Sequence, residues 1–344
     1  MKRKTIKDLP ITGLISSYNP TWALLETVES MFKGGASVVI VVDDGSPKPD
    51  AAAIFEAVEA LGAKVIHPGK NVGKASALKS GFPHVPVGSV IAQSDDDTLV
   101  GNLLIPMRLI ARNKADIVDI RVETNHTKSL LGLIQELDYW MINAVIKRLQ
   151  HWFRARLWMS GASAMYSYEA GKVLLMVQAL TITEDTEGMF RAREHGLRVI
   201  FLSKKEAQFI TMVPETFKGL RRQWKRWAQG NGQVIGLYGL GGRLKRVTLM
   251  NCFAWIALVI LPVLAIIVSG IIPTLEWLAG FSLVISIIGA ICLRRFAVIL
   301  VFWLLPIISY VWIFHALEGI IIAIKEPICP EDLTWESPER TSFQ

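Results

Sequence analysis

Three groups of carboxylates stand out in this chain of 344 residues. Asp43 and Asp44 end the apolar run VVIVV and lead into Gly45. Asp95, Asp96 and Asp97 end a second run, SVIAQS, and Glu184, Asp185 and Glu187 sit together in TITEDTEG. Paired carboxylates at the end of a buried strand can accept hydrogen bonds from a ribose or a base, although Asp and Gly are also ordinary turn residues. Asp95 and Asp97 form a DxD pair. Such a pair can hold Mg²⁺ or Mn²⁺ against a diphosphate, because hard cations take one or two carboxylates plus phosphate oxygens. The alternative is a charged loop with a helix N-cap at Asp97 or Thr98. A carboxylate at the start of a helix, as in TITEDTEG, can serve as a general base. Acidic residues in a first helical turn are equally what the helix dipole favours.

Lys74 follows Gly73 in NVGKASAL, at a helix start, where the N-terminus and a lysine point charge together attract anions. Neither the GxxxxGK[ST] spacing nor a GxGxxG after the first strand is present, which argues against a P-loop or a dinucleotide fold. RRQWKRW (221–227) carries two tryptophans and four basic residues in seven positions. At about 100° per residue a helix divides this stretch into three faces. Phe217, Leu220, Trp224 and Ala228 make an apolar stripe. Lys218, Arg221, Arg222 and Lys225 make a basic flank. Gln223, Arg226 and Trp227 share a separate edge. Apolar beside basic suits a helix in a lipid headgroup plane; the third edge needs another role.

The elements that must carry these residues alternate in the α/β manner. ITGLISSY, ASVVIVVDDGS, AKVIHPG and GSVIAQSDDDT read as strands; TWALLETVESMF, DAAAIFEAVEALG and GKASALKSGF read as helices between them. That order predicts a parallel sheet, with ligands beyond the carboxyl ends of its strands. Residues 127–150 read as one amphipathic helix, and PETFKGLRRQWKRWAQGNG as a helix of about four turns. The glycine-rich GLYGLGGR (236–243) follows a helix and reads as a linker without phosphate chemistry.

The net charge is +7. From Val247 to Ile324 there are only four Asp, Glu, Lys or Arg among 78 residues. Lipid is the solvent that explains such a stretch. It divides into apolar runs at roughly 249–270, 275–293 and 296–324. Arg243, Lys245 and Arg246 before the first run, and Arg294 and Arg295 after the second, place those ends on the cytosolic side. The basic charge concentrates beside this tail and fits anionic headgroups, so a nucleic-acid partner is not expected. Met1–Lys7 is basic without a signal-like apolar segment after it, so the first ~245 residues are expected in the cytosol. Cys252, Cys292 and Cys329 make no CxxC pair or Cys/His cluster, so neither a disulfide framework nor zinc is expected.

Read in order, the chain shows YN (Tyr18, Asn19), DDGS (Asp43, Asp44), NVGKASAL (Lys74), DDD (Asp95, Asp97), SGASAMY (Gly161), TED (Glu184, Asp185) and QWKRW (Gln223, Arg226, Trp227). This order resembles the family 2 glycosyltransferases, and within them the processive membrane synthases of cellulose, chitin, hyaluronan and poly-N-acetylglucosamine. The likeness runs over about residues 8 to 235 and extends into the apolar tail. LTWESPER (Trp335, Arg340) is similar to a Trp…Arg segment that comes after the membrane region in several of these synthases.

The resemblance implies a GT-A domain (the nucleotide-diphospho-sugar transferase fold) with a mixed, mostly parallel sheet over 1–212. It also implies an amphipathic interface helix and basic linker over 213–246, transmembrane helices over 247–324 and a tail over 325–344. It implies a UDP-sugar donor, UDP-N-acetylglucosamine or UDP-glucose, a glycan acceptor, Mg²⁺ or Mn²⁺, and inversion at the anomeric carbon. By the same likeness Tyr18, Asn19, Asp43, Asp44, Lys74 and Asp95 would bind the nucleotide, and Asp95 and Asp97 the metal. Asp185, with Glu184 beside it, would be the base. Gly161, Gln223, Arg226 and Trp227 would meet the pyrophosphate and the acceptor. The expected setting is a multi-pass protein of the cell membrane with a cytosolic catalytic domain. The tail is short for enclosing a polymer channel, so a second copy or an accessory subunit is expected to complete one unless the product is short. Two other readings share these features: a non-processive transferase onto a polyprenyl-phosphate lipid, and a catalytically silent scaffold or channel subunit.

Overall fold

A computed structural model of the protein describes residues 9–238, except 127, 154, 155, 157 and 178, and residues 260–308, except 262, together with 311, 314, 317, 318, 321 and 322. The described residues form two compact units. One comprises residues 9–123 and 158–212, the other residues 124–157 and those from 213 onward.

The first unit is built on a seven-stranded sheet. Its strands are β1 (Ile11–Ser17), β2 (Val38–Asp43), β3 (Lys64–Ile66), β4 (Val90–Asp95), β6 (Ile117–Ile120), β8 (Ser163–Tyr166) and β9 (Val199–Leu202). The spatial order is β3-β2-β1-β4-β8-β6-β9. All run parallel except β8, which lies antiparallel between β4 and β6. The sheet is therefore mixed and mostly parallel, as expected. A three-stranded sheet adds β5 (Thr98–Leu99), β10 (Phe209–Thr211) and β7 (Val122–Thr124) in that order.

The near-continuous apolar runs arise because both faces of the large sheet are covered. In β2, Val39 and Val41 point into a core with α1 (Ala23–Gly34) and α2 (Ala51–Ala60). Ile40 and Val42 point the other way, into a core with α3 (Lys74–Gly81) and α7 (Tyr168–Leu175). Period-two alternation thus feeds two cores from one strand. The helix α4 (Leu104–Ala111) joins the first of them through Met107 and Ile110. The order puts the ends of β2, β1 and β4 side by side. Ser17 pairs with Asp43 and Ser16 with Asp95, so both acidic motifs open on one sheet edge, about 10 Å apart across two strand spacings.

The second unit is helical. α5 (Leu130–Trp140) starts at Ser129, whose side chain accepts the Gly132 N–H at 3.0 Å. A π-helical turn, Met141–Ile146, separates it from α6 (Lys147–Trp152), so 127–150 is not one regular helix. A π turn adds a residue to the repeat and rotates the faces of the helix beyond it. Leu133, Leu137 and Trp140 of α5 pack with Ala290, Val298 and Val301. α9 (Phe217–Tyr238) carries RRQWKRW and runs 22 residues, longer than its four expected turns. α10 (Ile271–Leu293) has 23 residues and is the one helix among the described residues long and apolar enough to cross a membrane. Gly289 is where α10 meets α5; a Cβ there would collide with Leu137. Beyond α10 a 3₁₀ turn, Phe296–Val301, opens the third apolar run. Residues 239–259 and 323–344, with most of the first apolar run, the basic linker, Trp335 and Arg340, lie outside the described residues.

Candidate active site

Each acidic group at the sheet edge is held by backbone that the local sequence shapes. After β2, Gly45 has φ +71°, and a Cβ there would collide with the backbone of Lys70 and Asn71. Only glycine lets the loop after β2 lie against the loop before α3. Asp44 is buried there at 1% exposure, and its Oδ1 accepts the Val72 N–H at 2.7 Å. Its Oδ2 is buried with no hydrogen-bond partner among the described residues. Burial pushes its pKa up to about 6, the adjacent Asp43 adds to this, and the Val72 and Gly73 N–H groups oppose it. Asp43 accepts the Ser46 N–H at 2.9 Å and faces His67 Nδ1 at 3.1 Å. Asn19 takes a left-handed φ of 55°, which asparagine tolerates, and its N–H donates to Ser46 Oγ at 2.8 Å. The YN and DDGS loops are therefore tied together.

The three aspartates after β4 separate into different tasks. Asp95 Oδ1 accepts from Lys74 Nζ at 2.6 Å. Asp96 accepts the Ser17 hydroxyl at 2.6 Å and binds the end of β1. Asp97 is buried at 5% exposure, with the hydroxyls of Thr98 and Thr211 at 3.3 and 3.4 Å from Oδ1. Asp95 and Asp97 are hard oxygen donors. Among the described residues no cluster of three or more His, Cys, Asp or Glu surrounds a cation position. Two carboxylates match what Mg²⁺ or Mn²⁺ uses when phosphate oxygens complete its shell.

Lys74 links this edge to α8 (Glu184–Glu194). Its ammonium lies 3.0 Å from Glu184 Oε1, an ion pair without hydrogen-bond alignment. Burial alone would lower the Lys74 pKa; Asp95 and Glu184 outweigh it and hold the pKa above the ordinary value. Asp185 begins the same helix half-buried. Its Oδ1 accepts the Thr186 N–H at 2.7 Å and its Oδ2 the Gly161 N–H at 3.2 Å. Burial pushes its pKa up to about 6, the neighbouring Glu184 charge pushes the same way, and Lys74 opposes both. Gly161 is the meeting point. A methyl group in place of its hydrogen would lie 3.1 Å from both Glu184 Oε1 and Lys74 Nζ, and 3.3 Å from Asp185 Oδ2. Glu187, the third acid of TITEDTEG, is 1% exposed and structural. Its Oε2 accepts the N–H groups of Leu180 and Thr181 at 2.8 and 2.9 Å, and its Oε1 pairs with Arg191.

The structure thus brings Lys74, Asp95, Gly161, Glu184 and Asp185 into one cluster, with Asp43, Asp44, Tyr18 and Asn19 along the same sheet edge. A carboxylate with a raised pKa, fixed by two N–H donors beside a cation, can take a proton from a hydroxyl near neutral pH. Gln223, Arg226 and Trp227 lie on α9 of the helical unit. There Leu220, Gln223 and Trp224 are buried, while Phe217, Arg221 and Arg222 are exposed. The apolar stripe is therefore taken up mostly by protein packing, and Gln223 is buried beside it. Gln93 and Tyr166, both 2% exposed, also reach the cluster; neither was singled out from the sequence, although Tyr166 ends SGASAMY, and their partners come from distant parts of the chain.

The chain matches the family described as "Glycosyltransferase like family 2" over residues 10–230. It belongs to this family. The poly-beta-1,6-N-acetyl-D-glucosamine synthase of Staphylococcus aureus strain COL is 28% identical to it over 231 residues, 65% of this chain and 55% of the synthase. The corresponding synthase of Staphylococcus epidermidis is 27% identical over the same span. The chain spans about half the length of these relatives. Among solved structures, a mannosyltransferase of Pyrobaculum calidifontis in complex with GDP-Man and Mn²⁺ superimposes with a TM-score of 0.62 at 15% identity, over 92% of this chain and 88% of that one. Residues 1–349 of S. aureus TarS in complex with UDP give 0.50 at 15% identity, over 92% of each chain. At those identities the likeness establishes the fold, which is GT-A.

Proposed function

We propose that the protein is a membrane-bound inverting glycosyltransferase that moves a sugar from a UDP-sugar to a growing β-linked polysaccharide. UDP-N-acetylglucosamine is the favoured donor, from the likeness to the poly-N-acetylglucosamine synthases. The observation that carries the reading is the Asp185 carboxylate, held by Gly161 and Thr186 beside Lys74 at the carboxyl edge of the sheet. In this reading Tyr18, Asn19, Asp43 and Asp44 hold the nucleoside. The buried, unpartnered Asp44 Oδ2 suits a ribose or base donor. Lys74 and Asp95 lie at the diphosphate, and Asp95 and Asp97 hold Mg²⁺ or Mn²⁺. When bound, that ion supplies positive charge to the leaving diphosphate. Asp185 takes the proton of the acceptor hydroxyl as its oxygen forms the new bond to C1 and the C1–O bond to the diphosphate breaks. Gly161, Gln223, Arg226 and Trp227 contact pyrophosphate and acceptor.

The membrane assignment rests on α10, about 34 Å long, with Ile272, Trp277, Phe281 and Ile288 exposed along it. At its end Arg295 lies 3.4 Å from the buried Glu136 of α5. The arginines at that end fit the cytosolic side of a protein of the cell membrane. A second copy or an accessory subunit completes a channel. The test is detergent-purified protein given a panel of UDP-sugars with Mg²⁺ or Mn²⁺, reading UDP release and product mass together. UDP release with a ladder of β-linked product is the expected result. A single sugar on a lipid would overturn the polysaccharide assignment, and no transfer from any UDP-sugar would overturn the reading.

A further inference from the structure

The geometry points to Gln93 and Tyr166 as a positioning pair for the Asp185 carboxylate, acting through the backbone of Gly161; this rests on the reading of Asp185 as the base. Gln93 lies on β4 two residues before Asp95, so both side chains leave the same face of the strand. Tyr166 ends the antiparallel neighbour β8. The Tyr166 hydroxyl donates to Gln93 Oε1 at 2.9 Å. Gln93 Nε2 donates to the Gly161 carbonyl at 2.8 Å. The Gly161 N–H donates to Asp185 Oδ2 at 3.2 Å.

The direction of this relay is fixed by chemistry. A carbonyl can only accept, so the NH₂ end of the Gln93 amide must face Gly161. Oε1 then faces the phenol, which supplies the proton. On the N-terminal side of Gly161, the Ser160 N–H donates to Asp119 Oδ1 at 3.0 Å, and Asp119 is fully buried. A Cβ at residue 161 would press on the tips of Lys74, Glu184 and Asp185 at 3.1–3.3 Å, so a larger residue here would push the cluster apart. Gln93, Tyr166 and Asp185 line a small cavity with Leu78, Met159 and Leu174, an apolar wall that strengthens each hydrogen bond.

The chain is thus held on both sides of the Gly161 N–H, which orients the carboxylate. Without the relay the Gly161 backbone is held only from the Ser160 side, so its N–H can turn away from Asp185, which then loses one of its two N–H donors. Displacing a reacting group by about 1 Å costs up to about 100-fold in rate. Neither residue is among those assigned to the nucleotide or the acceptor.

The experiment compares wild type, Tyr166→Phe, Gln93→Leu and Asp185→Asn as full-length purified protein with UDP-N-acetylglucosamine. It records kcat, KM and the pH profile, and amide hydrogen exchange over residues 158–166. In Tyr166→Phe we expect kcat to fall about 10-fold with KM for the donor unchanged. The acid limb of kcat should move to higher pH, because an N–H bond to a carboxylate lowers its pKa and its loss raises it. Exchange at 160–162 should rise while 163–165 stay protected. Gln93→Leu should show the same pattern, more strongly; where it fails to fold, Tyr166→Phe decides. Unchanged exchange at 160–162 overturns the relay whatever the activity. So does a variant that melts earlier yet keeps wild-type kcat and pH profile well below its melting temperature. Equal transfer by wild type and Asp185→Asn instead overturns the reading of Asp185 itself.

Discussion

In the α/β unit Lys74 touches two carboxylates, and Asp185 is held by two backbone N–H groups. On α9 of the helical unit Gln223 and Trp224 are nearly as deeply buried as that unit's core, at 6% and 3% exposure. Yet Gln223 Oε1 and Trp224 Nε1 have no hydrogen-bond partner among the described residues. The first arrangement is preorganised for chemistry: its charges are in place before a substrate arrives. The second keeps polar atoms unsatisfied, at about 1–3 kcal/mol each. That cost is tolerable where a ligand or another segment supplies the partner. In the α/β unit, Asp44 Oδ2 on the loop after β2 is a counterpart: it too is buried without a hydrogen-bond partner among the described residues.

The largest effect expected is from Asp185→Asn. It should lower transfer about 10³-fold while leaving UDP binding, read by calorimetry, intact. The same substitution should raise the melting temperature at pH 8. The folded-state pKa of Asp185 is above its ordinary value, so its charge opposes folding fully above about pH 6, and the opposition fades as pH falls toward the ordinary carboxylate range. If transfer survives, the preorganised half of the comparison fails. Next comes Trp227→Ala on α9, expected to lower transfer about 100-fold without changing the fraction that sediments with membranes. Asp44→Asn should weaken UDP binding about 10-fold in the same calorimetric assay, with little change in kcat. The smallest effect is on stability: Gln223→Leu should leave the melting temperature unchanged or slightly higher, because no hydrogen bond is lost at Oε1, while transfer falls. A marked loss of stability would show that α9 is as fully satisfied as the α/β unit.

Much of the α/β unit was legible in the sequence because its strands are buried on both faces and end in carboxylates. VVIVVDDGS and GSVIAQSDDDT announce both the strand and the edge where the site lies. What escaped was short or non-local. β5, β7 and β10 hold two or three residues each and carry no periodicity. The π turn after α5 interrupts a pattern that reads as continuous. Gln93 and Tyr166 stand 73 residues apart and become neighbours only because β8 inserts antiparallel beside β4. Glu187 has the same composition signal as Asp185, yet a buried ion pair with Arg191 and two N–H donors make it structural. On α9 the expected faces are mixed: Leu220, Trp224 and Ala228 of the apolar stripe are buried, but Phe217 is exposed and Gln223 of the separate edge is buried with the stripe. The helical wheel could not say that protein would cover Leu220 and Trp224, since packing partners are not encoded in spacing.

The central claim is that Asp185 is the base that activates the acceptor. The most direct measurement is kcat of the wild-type protein against pH, with saturating UDP-N-acetylglucosamine and Mn²⁺. Burial and the Glu184 charge hold the Asp185 pKa up to about 6. A plateau above about pH 7 and a tenfold loss per unit once the pH falls below about 6 are therefore expected. A rate that stays flat from pH 5 to pH 8 would contradict the claim.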